Sequence, residues 1–151
     1  MSNILVVDDD PIFAKAARLA FTRAGHEVSV TDSGSEALSA VVREKVDLIV
    51  LDLCMPKMDG AIVLEVLRSY QRWRETPVII VTANMESEQF ERVKALGVEC
   101  AFDKTQFDFG DLVRCAEGLL RGEKCPGGVM RKAITESAED TENTEEEEKK
   151  D

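Results

Sequence analysis

Five times along the chain, a short β-branched or aliphatic run is followed by a stretch with helical spacing of apolar residues. The runs are Ile4 to Val7, Glu27 to Thr31, Asp47 to Leu51, Val78 to Val81 and Val98 to Phe102. They read as strands mostly buried on both faces. The first helix starts at Pro11, carries Phe13, Ala16, Ala17, Ala20 and Phe21 on one stripe, and stops at Gly25. Further helices are predicted from Ser35 to Glu44, Gly60 to Arg72, Ser87 to Leu96 and Phe109 to Arg121. Alternation of strand and helix implies a parallel sheet, and right-handed crossovers place helices on both of its faces. The expected fold is therefore a doubly wound, flavodoxin-like α/β domain with five parallel strands in the order 2-1-3-4-5. Any site then lies outside the carboxyl ends of the strands.

The organisation changes after Arg121. Residues 1–121 read as one folded domain and 122–151 as an acidic tail, with no apolar residue beyond Ala138 and four consecutive glutamates from Glu145. Such a segment buries too little to fold alone and is expected to be disordered. Net charge is −11, of which −5 falls in the tail, and this disfavours direct contact with nucleic acid or anionic lipid. Apolar runs reach only four or five residues, so no membrane span is expected. The start of the chain shows neither a basic leader nor a long apolar stretch, which points to the cytoplasm. The four cysteines lack metal-site spacing and His26 is the only histidine, so a zinc centre is not indicated.

The predicted strand ends hold the chemistry. Asp8, Asp9 and Asp10 follow strand 1 and Asp52 follows strand 3, its neighbour in the expected order. Carboxylates brought this close repel one another unless a cation neutralises them. Oxygen donors with no His or Cys side chain among them select a hard divalent ion, and a site open to phosphate suits Mg2+. Thr82 after strand 4 adds a hydroxyl and Lys104 after strand 5 an ammonium, the groups a transferring phosphoryl needs around it. Asp10 reads either as part of this set or as the cap of the first helix, and Asp59 as the cap of the third. His26 reads as a plain strand-edge residue, and Tyr70 and Trp73 as the packed or half-exposed end of the third helix.

Four blocks, Ile-Leu-Val-Val-Asp8-Asp9-Asp10, Asp52-Leu-Cys-Met-Pro56-Lys-Met-Asp59-Gly60, Thr82-Ala83 and Lys104, together resemble a response-regulator receiver domain of two-component signalling over Met1 to Arg121. The resemblance implies that Asp52 accepts a phosphoryl group from a phosphohistidine on a histidine kinase or phosphotransfer protein. It implies Mg2+ held by Asp9, Asp52 and the backbone carbonyl of Cys54, with Asp8 acting through water. Lys104 would pair with the phosphoryl oxygens and Thr82 would hydrogen-bond one of them. A downstream protein would then dock on the face made by the fourth helix, fifth strand and fifth helix, and the chain would act as a stand-alone regulator. Cys54 and Asn84 stand where the family tunes phosphoryl lifetime. Two positions depart from the pattern: Ala101 replaces the frequent aromatic three before the lysine, and Thr105 replaces the proline after it, which removes the low-cost basis for a cis peptide. Two other readings compete. One is a haloacid-dehalogenase-type phosphatase with Asp8 as nucleophile, suggested by Asp8-x-Asp10; the other is a scaffold acting through its acidic tail.

Overall fold

The computed structural model describes residues 1–106 and 108–124. Ten elements alternate without exception: β1 (Asn3–Val7), α1 (Pro11–Arg23), β2 (Glu27–Thr31), α2 (Gly34–Arg43), β3 (Leu48–Asp52), α3 (Gly60–Ser69), β4 (Val78–Thr82), α4 (Glu88–Leu96), β5 (Cys100–Asp103) and α5 (Phe109–Leu120). All strand pairs are parallel and the order is β2-β1-β3-β4-β5, as the alternation requires. The tail from residue 125 onward lies outside the described residues, and with it the expectation of disorder there.

Each helix starts for a local reason. Asp10, Ser33, Asp59, Ser87 and Asp108 are the five N-caps, each with a side-chain oxygen accepting backbone N–H groups of the first turn. Asp10 is thereby assigned: its Oδ1 accepts from Ile12 N at 3.0 Å and Phe13 N at 3.5 Å. Asp59 likewise accepts from Ile62 N at 3.0 Å, as its position before Gly60 predicts.

The core is aliphatic and continuous. β3 and β4 are buried along their whole length, and β1 and β5 nearly so. The expectation of two-sided burial fails for the edge strand β2, where Glu27 is exposed and Val28, Ser29 and Val30 are half-buried. β3 begins and ends one residue later than its apolar run suggests. Asp47 is diverted from the strand, its Oδ2 accepting from Asn3 N at 2.7 Å.

The third helix also ends early, at Ser69 rather than Arg72. Arg68 pulls the chain back: its Nη1 donates to Arg74 O at 3.1 Å and Thr76 O at 2.9 Å, and its Nη2 to Glu99 Oε1 at 3.2 Å. The same Glu99 oxygen accepts from Val78 N at 2.9 Å, so one arginine ties the α3–β4 connection to the start of β4. Arg68→Ala leaves those carbonyls without their donor, and a loss of about 1–3 kcal/mol in urea unfolding, with an unchanged m value, is the expected result.

Candidate functional site

Register explains why the acids meet. Val7 pairs with Leu51, so Asp8 and Asp52, each one residue further on, emerge side by side at the same end of the sheet. Oxygens of Asp8, Asp9 and Asp52 lie within 4.8 Å of one another. Asp8 and Asp52 are 1% and 2% exposed, while Asp9 opens to solvent. Lys104 enters from the other side of β4: its amide donates to Thr82 O at 2.8 Å, which fixes the turn after β5.

The ammonium favours Asp8. Its Nζ donates to Asp8 Oδ1 at 3.2 Å and stands 2.9 Å from Oδ2, the second a charge contact without hydrogen-bond alignment. Asp52 Oδ2 is further off, at 3.7 Å. The remaining Asp8 bond comes from Asp10 N, at 2.9 Å to Oδ1.

One cation against three carboxylates leaves the cluster negative, and the titration behaviour follows. Burial first, then the Asp8 charge, push the Asp52 carboxyl up to about 7, against the pull of Lys104 and of Cys54 N, which donates to Asp52 Oδ1 at 3.3 Å. Burial also raises Asp8, outweighing its hydrogen bonds from Lys104 and Asp10. For Lys104, burial opposes the charged form, but the Asp8 bond and the charges of Asp52 and Asp8 hold it above its usual value. An oxygen-only donor set, two of its three carboxylates buried and carrying excess negative charge, fits a hard divalent cation such as Mg2+.

Thr82 and Cys54 complete the rim. Thr82 Oγ1 accepts from Asn84 N at 3.1 Å and donates to Asn84 O at 3.4 Å, and Cys54 Sγ lies 3.9 Å from it. Lys57, in the loop between β3 and α3, sits in the left-handed region at φ 70°. No described peptide bond is cis, in keeping with Thr105 after Lys104. Ala101 is fully buried, a methyl group in β5 with no ring in its place. Beside Asp8 and Asp9, on the β2 side, a cavity of about 620 Å³ runs between α1 and the end of β2, bordered by Lys15, Arg18, Asp32 and Glu36.

A comparison with family descriptions matches residues 4–117 to the response regulator receiver domain. The chain belongs to that family. A putative transcriptional regulator of Pseudomonas aeruginosa is 32% identical over 144 residues, covering 94% of this chain and 68% of the relative. The transcriptional regulatory protein PhoP of Bacillus subtilis is 39% identical over 101 residues, covering 67% of this chain and 40% of its own length. KdpE of Mycobacterium tuberculosis is 36% identical over 96 residues, again with 40% of its length covered. The receiver domain of Francisella response regulator 1452 superposes with a TM-score of 0.71 at 31% identity, over 81% of this chain and 98% of that one. Vibrio cholerae chemotaxis protein CheY4 gives 0.69 at 26% identity, over 80% and 98%. The receiver fold and its place in two-component signalling are therefore shown. These three curated relatives are named as transcriptional regulators, which stands somewhat against the expectation of no direct contact with nucleic acid.

Of the residues singled out in sequence, Asp8, Asp9, Asp52 and Lys104 converge, Thr82 and Cys54 stand next to each other at the edge, and Asp10 is drawn away as a cap. Two residues of this receiver's site were not recognised in sequence. Phe13, read as core, places its ring 4.6 Å from Lys104 Nζ. Gly60, noted only as part of a motif, has its α-carbon against the backbone that carries Asp52: an added Cβ would lie 2.3 Å from Asp52 O and 2.9 Å from Leu53 Cα. Its position at the first turn of a helix starting straight after a strand end was the available signal.

Proposed function

We propose that this receiver is a phosphoacceptor in which Asp52 takes a phosphoryl group from a phosphohistidine on a histidine kinase or phosphotransfer protein. The supporting observation is a buried Asp52 whose carboxylate shares a 4.8 Å cluster with Asp8 and Asp9 and lies within reach of the Lys104 ammonium. A carboxylate oxygen of Asp52 attacks phosphorus, the P–N bond breaks with its electron pair going to the imidazole, and the ring leaves to be reprotonated. Asp9, Asp52 and the backbone carbonyl of Cys54 would hold Mg2+ directly, with Asp8 through water. When bound, Mg2+ supplies the positive charge that keeps these carboxylates ionised and offsets charge on the phosphoryl oxygens.

This chain's own groups do the rest. Lys104 leaves its bond to Asp8 to face the new dianion, and Cys54 N continues to orient the Asp52 carboxyl. Thr82 exchanges its local bond to Asn84 for one to a phosphoryl oxygen, which biases a two-state rearrangement of the face formed by α4, β5 and α5, where a downstream protein docks. The protein catalyses its own phosphorylation and dephosphorylation and turns over no separate substrate. The receiver domain spans 1–121 and the module works in the cytoplasm.

Acetyl phosphate with Mg2+ tests this reading. One phosphate should appear by intact-mass spectrometry and map to Asp52, and Asp8→Asn or Asp9→Asn should weaken Mg2+ binding. Label on Asp8 would instead select the phosphatase-type chemistry, and absence of label from Asp52 sinks the proposal.

A further inference from the structure

Lys104 is a flexible side chain with four rotatable carbons, so its place among three acids needs a physical cause beyond charge. Its backbone is well held: besides the amide bond to Thr82 O, Asp103 Oδ1 accepts from Thr105 N at 2.9 Å and Thr105 Oγ1 at 2.6 Å. None of these bonds sets the direction of the ammonium. Three groups do: the Asp8 carboxylate, the more distant Asp52 carboxylate at 3.7 Å, and the face of Phe13, whose centroid is 4.6 Å from Nζ. An ammonium over an aromatic face is attracted by the ring quadrupole, and more strongly where water is excluded. Here the Lys104 side chain is 15% exposed and Phe13 is buried.

Phe13 does not stand alone. Its ring packs against Phe109, the first residue of α5, with centroids 5.3 Å apart and planes tilted by 42°. Phe13 belongs to the first turn of α1, which Asp10 caps, and that helix begins three residues after Asp8. One ring thus touches both the site's ammonium and the start of a helix of the proposed output face.

We infer that Phe13 is a positioning residue: its ring holds the Lys104 ammonium at the carboxylate cluster, and through Phe109 it passes the position of that ammonium to α5. The second half rests on the proposed role of Asp52, whereas the Lys104–Phe13 contact does not. When Asp52 gains a dianionic group, Lys104 acquires a stronger partner and gives up part of its contact with Phe13. The ring then loses part of its contact with the ammonium, and its packing on Phe109 changes with the state of Asp52. A signal is carried because the contact differs between the two states.

The test uses the full chain and two substitutions. Phe13→Leu keeps an apolar side chain without a ring, and Phe13→Tyr keeps the ring; thermal unfolding confirms that both are folded. In the cation-free protein, NMR reads the Lys104 ε-methylene protons, which the Phe13 ring current shifts upfield. They should move downfield in Phe13→Leu and stay in Phe13→Tyr. Labelling of Asp52 by acetyl phosphate should slow about three- to tenfold in Phe13→Leu and return to the wild-type rate in Phe13→Tyr. Addition of beryllofluoride with Mg2+ should shift the α5 amides in wild type and Phe13→Tyr, and shift them much less in Phe13→Leu. Unmoved Lys104 protons, equal slowing in both variants, or an undiminished α5 response in Phe13→Leu each overturn the inference. Failure of the wild type to take label overturns the phosphoacceptor reading instead, and the cation-free spectra still decide the contact.

Discussion

Gly60→Ala lowers the stability of this receiver by at least about 3 kcal/mol in denaturant unfolding, the upper range for forcing atoms into a packed interior. The reason is the identity of the atoms in the way. A Cβ at residue 60 falls 2.3 Å from Asp52 O, 2.9 Å from Leu53 Cα and 3.1 Å from Asp52 C. These are backbone atoms of a buried strand end, with no rotamer to yield. Gly60 N also donates to Leu53 O at 3.1 Å, so helix α3 cannot draw back without losing that bond. The residue displaced is the one that carries the proposed chemistry, and Mg2+ affinity and acetyl-phosphate labelling should fall with stability. Gly110→Ala is the matching control. The atoms nearest its Cβ would be Asp108 carboxylate oxygens at 3.5 and 3.6 Å and Arg114 Nη1 at 3.7 Å, in a helix where alanine is favoured by up to about 1 kcal/mol.

Asp52→Asn abolishes phosphate uptake and, without divalent cation, makes the protein more stable at neutral pH. The folded Asp52 carboxyl titrates near 7 against 3.8 for an unperturbed aspartate. Between those values the folded state holds more protons than the unfolded state, so stability falls as pH rises through the window and levels off above it. Asparagine removes that slope while preserving an oxygen to accept from Cys54 N. A gain of about 2 kcal/mol at pH 7.5 is expected, discounted from the full shift because Asp52 titrates together with Asp8 and Lys104. At pH 4 wild type and variant should unfold together. Adding Mg2+ should raise the wild-type melting temperature more at pH 7.5 than at pH 5 and leave Asp52→Asn less affected; a pH-independent gap between the two proteins refutes the assignment.

The parts of this molecule that were legible in sequence are those set by local periodicity and by position at a strand end. Five apolar runs separated by helical spacing dictate a parallel sheet, and a parallel sheet gathers every strand's carboxyl end on one side. Asp8, Asp52, Thr82 and Lys104 could be placed together for that reason alone. What escaped depends on partners far along the chain. His26 shows nothing locally beyond a strand edge, yet its Nε2 lies 2.9 Å from Glu117 Oε2 on α5 and its Nδ1 accepts from Ser2 N at 3.2 Å. Phe13 fits the buried stripe of α1 perfectly well and also sits under a lysine 91 positions away. The early stop of α3 needed Arg68 to find carbonyls beyond the helix, which no propensity encodes. The preference of Lys104 for Asp8 over Asp52 is a matter of fractions of an ångström that spacing cannot resolve.

The all-parallel pairing also sets how the chain must find its native state. No two strands that share hydrogen bonds can be joined by a tight turn; the shortest span between paired residues is the 21 positions from Ile79 to Cys100, and the β1–β3 pair Ile4 and Leu48 must close across 44. Each ladder therefore forms only after a long loop has been ordered, and the central one waits on a whole intervening strand and two helices. Such non-local wiring makes acquisition of structure slow relative to helical bundles of similar size, and leaves apolar strands such as β3 and β4 in need of shielding until their neighbours arrive.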